Sequence, residues 1–302
     1  MKSYINICGK KIYYEIYGEK NENVLVYFHG GPGASCLDFS DMASRLSSKL
    51  KVICFDQYGV LRSEEIGDGE SYGMMMQVDM IEEMRKKLSI YRWSIIGHSY
   101  GGQLACLYTK KYPDVVEKII LDCPGLNFQD SVKSIAGYLM KYFIQNGDSE
   151  SERCCKKIIN FEYKDHSFIY ELLDLMDKVQ DTKIRNYLHN ITSEDYMSLC
   201  KQNFIANNIT ENMWAKGEAH VLKIIEEGTM FENFLPILET LKKPVLLLKG
   251  HFDPVCTKSQ TEYIRKLADT KVVEFRKSGH FPRLEEPDLY ENTVIDFLMT
   301  QG

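Results

Sequence analysis

The sequence predicts an α/β fold: a mostly parallel sheet with helices on both faces, interrupted by an inserted block of helices. Short apolar runs typical of buried strands alternate along the chain with amphipathic helical patterns. The alternation stops near residue 124 and resumes after residue 237, with only helical patterns between. At 302 residues the chain is long enough to bury a substantial core. We therefore expect a core of residues 1–123 and 238–302 that carries a helical cap, or lid, of residues 124–237.

The predicted strands begin with a hairpin and continue with six buried runs. Residues 5–8 and 11–17 flank Gly9-Lys10 and alternate in polarity, as hairpin strands do. The buried runs are residues 24–28, 52–55, 93–96, 118–121, 245–248 and 272–275. The helical patterns of the core are residues 38–49, 74–88, 102–112 and 259–268. Strands that alternate with helices pair in parallel.

The inserted block shows two clear apolar helix faces. They are formed by Val132, Ile135, Leu139, Tyr142 and Phe143, and by Ile169, Leu172, Leu173, Met176 and Val179. Because the block enters where core strands end, we expect it to cover a cleft at that edge of the sheet. The alternative is a second helical domain that only enlarges the core.

Composition excludes several classes of function. The formal net charge is −6, which argues against nucleic acid as the main partner. No apolar run approaches the roughly 20 residues needed to span a membrane. The nine cysteines are scattered without C-x-x-C spacing, which predicts reduced thiols, no metal site and a cytoplasmic location. We expect no cofactor, and the sequence carries no prediction of oligomeric state.

The most specific motif is Gly97-His98-Ser99-Tyr100-Gly101, which follows an apolar run and precedes a helical pattern. A strand that turns sharply into a helix needs glycines around the turning residue, and it leaves the serine hydroxyl exposed at the apex. A glycine-flanked serine in an ordinary turn is the alternative. The flanking strand and helix patterns favour Ser99 as a catalytic nucleophile.

A serine nucleophile needs a base that is oriented by a carboxylate. His280 follows the last predicted strand, in the loop Ser278-Gly279-His280. Asp253 follows the strand before it, although an Asp-Pro turn is the simpler interpretation of Asp253-Pro254. The order Ser99, Asp253, His280 is that of α/β-hydrolases.

An oxyanion hole needs two backbone N–H donors. The N–H of Tyr100, at the start of the helix after Ser99, is the first candidate. The glycine-rich run of residues 29–33 follows a buried strand and supplies the second. We expect that donor to be Gly31, with Gly30 as the alternative.

These motifs together resemble the proline iminopeptidase group of α/β-hydrolases. The resemblance rests on His29-Gly30-Gly31-Pro32-Gly33, Asp56-Gln57-Tyr58-Gly59, Gly97-His98-Ser99-Tyr100-Gly101-Gly102 and Gly279-His280. It implies an eight-stranded sheet, a helical cap, no metal, and release of an N-terminal residue, often proline, from small peptides. It also implies a substrate-binding segment that contains Trp214 and Glu218, with Glu218 binding the amine of the substrate. A solvated glutamate on a helix face is the alternative.

Two positions depart from the pattern of the family. Leu61 stands where a second glycine is usual after Gly59, and Pro254 stands where a second amine-binding glutamate often follows the catalytic aspartate. The departures leave the triad intact and weaken the case for an aminopeptidase. The sequence thus predicts a serine hydrolase that acts on a small peptide, amide or ester, with no nucleic-acid or membrane partner. A carboxylesterase and a non-catalytic ligand-binding protein are the alternatives.

Overall fold

A computed structural model describes residues 1–161, 165–179 and 188–300. Its sheet has eight strands: β1 (Lys2–Ile7), β2 (Lys10–Tyr17), β3 (Val24–Phe28), β4 (Lys51–Phe55), β5 (Trp93–His98), β6 (Val116–Asp122), β7 (Val245–Gly250) and β8 (Thr270–Phe275). The order across the sheet is β1-β2-β4-β3-β5-β6-β7-β8. β2 pairs antiparallel with β1 and with β4, and the other pairings of the described strands are parallel. The predicted α/β architecture with a mostly parallel sheet is confirmed.

Twelve helices of the described chain are numbered here in order: α1 (Ser40–Leu46), α2 (Met74–Lys87), α3 (Tyr100–Lys111), α4 (Phe128–Gln145), α5 (Ser149–Asn160), α6 (Phe168–Lys178), α7 (Ser193–Ala206), α8 (Glu211–Glu227), α9 (Leu235–Thr240), α10 (Lys258–Arg265), α11 (Pro282–Glu285) and α12 (Pro287–Met299). The last two were not anticipated from the sequence. Among the described residues, none of these helices has the length and apolar character that crossing a bilayer requires.

The central strands are buried on both faces, which explains why they carry continuous apolar runs. In β5, Ile95 joins the cluster formed with α2 and α3, while Ile96 joins the opposite cluster, formed with α1 and α12. Consecutive side chains of a strand point to opposite faces. The continuous runs therefore carry two alternating sets of core residues.

The helices α4 to α8 are inserted between β6 and β7. The two ends of the insertion meet at one point, because Asn127 and Asn233 form an isolated β-bridge and Phe234 N–H donates to the Leu126 carbonyl at 2.7 Å. The insertion rises from the edge where the parallel strands have their carboxyl ends. Residues 162–164 and 180–187 of the predicted cap lie outside the described part of the chain.

Candidate active site

Ser99 lies in a sharp turn between β5 and α3. Its φ and ψ angles are 53° and −118°, a conformation that non-glycine residues rarely adopt. A Cβ atom at Gly97 would overlap the Gly101 carbonyl, and one at Gly101 would overlap the Phe28 carbonyl. The turn is this tight only because both flanking positions are glycine. Strain of this kind is common where a side chain must be presented to a cleft.

The loops after β7 and β8 bring Asp253 and His280 together. His280 Nδ1 donates to Asp253 Oδ1 at 2.9 Å. The same carboxylate accepts the N–H groups of Val255 at 2.9 Å and Cys256 at 3.1 Å. Burial alone would raise the pKa of Asp253, but the attraction of His280 and these hydrogen bonds outweigh it and lower that pKa. The aspartate is therefore held as a carboxylate that orients the imidazole.

Ser99 and His280 face the same two cavities. The first has a volume of about 280 Å³ and the second about 390 Å³. The predicted nucleophile and base thus border a shared space. Gly31 borders both cavities as well, and Tyr100 borders the first.

The predicted oxyanion loop lies against the serine turn. A Cβ atom at Gly30 would be 3.0 Å from the Cβ atom of Ser99, so the loop passes as closely as glycine allows. Gly31 has a φ of 114°, in the region that favours glycine. The placement brings Gly30, Gly31 and Tyr100 next to Ser99, as the sequence predicts for groups that would bind an oxyanion.

The first cavity is apolar and is roofed by the insertion. Its roof is formed by side chains of α4, α6 and α8: Val132, Ile135, Ile169, Leu172, Leu173, Met176, Val221 and Ile225. Leu173, which the helical pattern placed on a buried face, is 39% exposed and contributes to this lining. None of the described residues that border the first cavity is a carboxylate or a Lys or Arg.

The second cavity is more polar, with Tyr196, Asn203 and Trp214 on its insertion side. Asp38 is the one acidic side chain among the described residues around it. That carboxylate already accepts Arg283 Nη2 at 2.6 Å and the hydroxyl of Tyr27 at 3.0 Å. Asp38 therefore anchors the cavity wall through existing hydrogen bonds.

The two residues expected to bind the substrate, Trp214 and Glu218, lie in different settings on α8. Trp214 is 53% exposed and borders the second cavity. Glu218 is exposed and borders neither cavity, and the preceding residue, Gly217, is packed against Gly33 of the oxyanion loop. The role of Glu218 stays a prediction.

A second histidine–aspartate pair lies beneath the site and was missed in the sequence. His98 Nδ1 is 3.1 Å from Asp122 Oδ2, and the same oxygen accepts Arg283 Nη1 and the Tyr290 hydroxyl. Burial lowers the pKa of His98 to about 4. His98 and Asp122 are direct register partners of β5 and β6, so only the strand order could have revealed the pair. The neutral His98 ring packs 4.7 Å from the ring of His280.

Glu285 ties the insertion to the histidine loop, a link that the sequence did not signal. One carboxylate oxygen accepts the N–H of Gly279 at 2.6 Å. The other accepts the N–H of His189 at 2.6 Å, together with the N–H of Asn190. The position of the base is thus coupled to the insertion.

The arrangement suits proton transfer better than metal binding. Ligand atoms of Cys123, Asp253 and His280 lie within 4.8 Å of one another. The Asp253 oxygens, however, already accept three hydrogen bonds, and burial raises the pKa of the Cys123 thiol well above its usual value. A protonated thiol is a poor metal ligand.

Comparison with known proteins agrees with this architecture. Residues 23–287 match the family described as the alpha/beta hydrolase fold. The proline iminopeptidase of Saccharolobus solfataricus is 25% identical over 98% of this chain and 92% of its own length. That of Heyndrickxia coagulans is 23% identical, with 98% of each protein covered.

Solved structures share the fold. The proline iminopeptidase-related protein of Thermus thermophilus matches with a TM-score of 0.74 at 18% identity, covering 99% of this chain and 96% of that one. An esterase of Exiguobacterium antarcticum matches with a TM-score of 0.67 at 18% identity, covering 99% and 100%. The chain belongs to the α/β-hydrolase fold family, and it is similar to proline iminopeptidases over nearly its whole length.

Proposed function

We propose that this protein is a serine hydrolase that works by acyl transfer, most closely an aminopeptidase of the proline iminopeptidase type. The observation that carries the proposal is the 2.9 Å contact between His280 Nδ1 and Asp253 Oδ1. The same histidine borders two cavities that Ser99 also borders. A nucleophile, a base and an orienting carboxylate are the parts that acyl transfer needs.

In the proposed reaction, Ser99 Oγ attacks the substrate carbonyl while His280 Nε2 takes the hydroxyl proton. Asp253 stabilises the imidazolium through Nδ1, and the N–H groups of Gly31 and Tyr100 bind the oxyanion. His280 then gives its proton to the leaving amine or alcohol, and water hydrolyses the acyl-enzyme by the same steps in reverse order. Each oxyanion donor typically contributes about 10²- to 10³-fold in kcat.

The choice of an aminopeptidase is supported by the relatives, which are proline iminopeptidases matched over nearly the whole chain. The substrate is then a small peptide or amide with a free N-terminus, with Trp214 and Glu218 near its amine. A cytoplasmic location, supported by the scattered cysteines, is part of this proposal.

A carboxylesterase is the second candidate, and the apolar first cavity favours it. A free ammonium group costs several kcal/mol to bury without a partner. No charged side chain among the described residues of that cavity offers one. Pro254, where relatives of this group often carry an acidic residue, points the same way.

The test compares matched substrates. Proline and alanine 4-nitroanilides are assayed beside their N-acetylated forms and beside short-chain 4-nitrophenyl esters. An aminopeptidase turns over the free amines and rejects the acetylated forms, and Glu218→Gln raises KM if that carboxylate binds the ammonium. Turnover of esters alone would refute the peptidase assignment and leave the esterase. Full activity of Ser99→Ala would refute the mechanism.

A further inference from the structure

We propose that His29 is a positioning residue for the oxyanion hole: its ring holds the Gly30–Gly31 peptide so that the N–H of Gly31 faces Ser99. The inference rests on the proposed function, because an oxyanion hole has meaning only for acyl transfer. It concerns a side chain that touches no substrate and acts through the backbone.

The first observation is a hydrogen bond between His29 Nδ1 and the Gly30 carbonyl at 3.0 Å. The Gly30 carbonyl and the Gly31 N–H belong to the same peptide unit, which is trans, and in a trans peptide they point in opposite directions. The hydrogen bond that holds the Gly30 carbonyl toward the His29 ring therefore turns the Gly31 N–H away from that ring.

The sheet order shows where the N–H then points. β3, which ends just before His29, lies between β4 and β5. The ring lies on the β4 side, where Gln57 follows that strand, and Ser99 follows β5 on the other side. The N–H of Gly31 is thus turned toward the side of the nucleophile.

The ring itself is locked in one tautomer. The backbone N–H of Gln57 donates to His29 Nε2 at 3.0 Å, so that nitrogen carries no proton. The proton of the neutral ring is then on Nδ1, where it donates to the Gly30 carbonyl. The side chain of Gln57 also donates to the His29 carbonyl at 3.1 Å, so Gln57 fixes both the ring and the backbone of His29. Burial lowers the pKa of His29, which keeps the ring neutral.

The Gly30–Gly31 peptide needs this hydrogen bond because neither residue has a side chain that would fix its orientation. Gly30 and Gly31 both lack a Cβ, and glycine rotates into other backbone regions at little cost. Loss of the hydrogen bond from His29 leaves the peptide free to rotate, with the carbonyl rather than the N–H toward the oxyanion.

The test uses a matched pair of variants at one position. An Asn side chain places an amide N–H near the position of Nδ1, whereas Gln places its amide near the position of Nε2. We expect His29→Asn to keep kcat within about tenfold of the wild type. We expect His29→Gln to lower kcat by about 10²- to 10³-fold with little change in KM, as the loss of one oxyanion donor does. Affinity for a boronic acid that forms a tetrahedral adduct with Ser99 should fall in parallel with kcat.

Two results would overturn the inference. One is equal loss in both variants, which a merely structural role predicts; the other is wild-type kcat in a folded His29→Gln protein. The tautomer of His29 is measured in the wild-type protein by long-range ¹H–¹⁵N NMR of the imidazole. This measurement tests the proposal even if a variant fails to fold. We expect a protonated Nδ1, and a protonated Nε2 would refute the proposal. If the wild type turns over no substrate and binds no boronic acid, the proposed function fails instead.

Discussion

The contact between α8 and the oxyanion loop gives a sharp test through Gly217→Ala. A Cβ atom at Gly217 would lie 2.5 Å from the Gly33 carbonyl oxygen, whereas real Cβ atoms essentially never approach closer than 3.0 Å. The helix and the loop must therefore separate by about 0.5 Å. Both are backbone, so no flexible side chain can absorb the shift.

The magnitude follows from two opposing effects. Replacing a helical glycine by alanine stabilises a helix by about 1 kcal/mol, but forced overpacking costs about 1–3 kcal/mol. We expect a net loss of roughly 1 kcal/mol in the free energy of unfolding. A misplacement of about 1 Å costs about 10²-fold in rate, so half that shift predicts a fall of about tenfold in reaction with a fluorophosphonate probe.

The matched control is Gly137→Ala in α4, where an added Cβ atom meets nothing within 4 Å. It should gain up to about 1 kcal/mol and keep the wild-type labelling rate. Urea unfolding and the time course of labelling measure both quantities. A Gly217→Ala protein that is as stable and as reactive as Gly137→Ala would refute the packing argument.

Two further predictions concern stability. His98 and His220 have pKa values lowered by burial to about 4 and about 3, so the unfolded chain takes up protons below pH 6.5 that the native protein refuses. Stability should fall as the pH drops from 6.5 toward 4, by about 1.4 kcal/mol per pH unit for each histidine. His220→Asn keeps a donor for the Tyr58 carbonyl and should reduce the dependence of the free energy of unfolding on pH by the contribution of one histidine. Urea titrations at several pH values measure this dependence, and an unchanged dependence would contradict the prediction. Arg62→Met leaves Glu15 and Asp56 buried without their shared partner and should cost about 3–5 kcal/mol, whereas Arg45→Met at an exposed ion pair should cost less than about 1 kcal/mol. Equal losses in the two arginine variants, measured by urea unfolding, would contradict the burial argument.

The central parallel strands were predictable because they are buried on both faces and so stand out as continuous apolar runs. β3 matches its predicted run at both ends, and the other five buried runs are extended by one to three residues in all. In the hairpin, β2 gains one residue, whereas β1 begins three residues before its predicted start and ends one residue before its predicted end. The terminal helix α12 was not predicted because its apolar side chains do not form one clean face: Tyr290 and Val294 are fully covered, whereas Leu289 and Met299 are about half exposed.

In the candidate site, too, the residues that a local pattern identifies were predictable, and the residues that only the fold brings together were not. The glycines around Ser99 are required because the tight turn leaves no room for a Cβ atom, and this requirement is visible in the local sequence. The pairing of His98 with Asp122 and of Asp38 with Arg283 depends on strand order and long-range packing, which no local pattern encodes.

Leu61 lies in a turn that favours glycine. It replaces a glycine that the related pattern carries, yet its φ is 41°, in the region that favours glycine. The conformation is kept at a cost of about 1–2 kcal/mol, offset by burial of the side chain beside Leu37 and Val60. Leu61 therefore adopts a backbone conformation that glycine favours.

The central claim is that Ser99 is a nucleophile activated by His280. The most direct measurement is peptide mass spectrometry of the protein after treatment with a fluorophosphonate. We expect one adduct, on Ser99, that is lost in Ser99→Ala and forms much more slowly in His280→Ala. No adduct on the folded wild type, or an adduct on another residue that persists in Ser99→Ala, would contradict it.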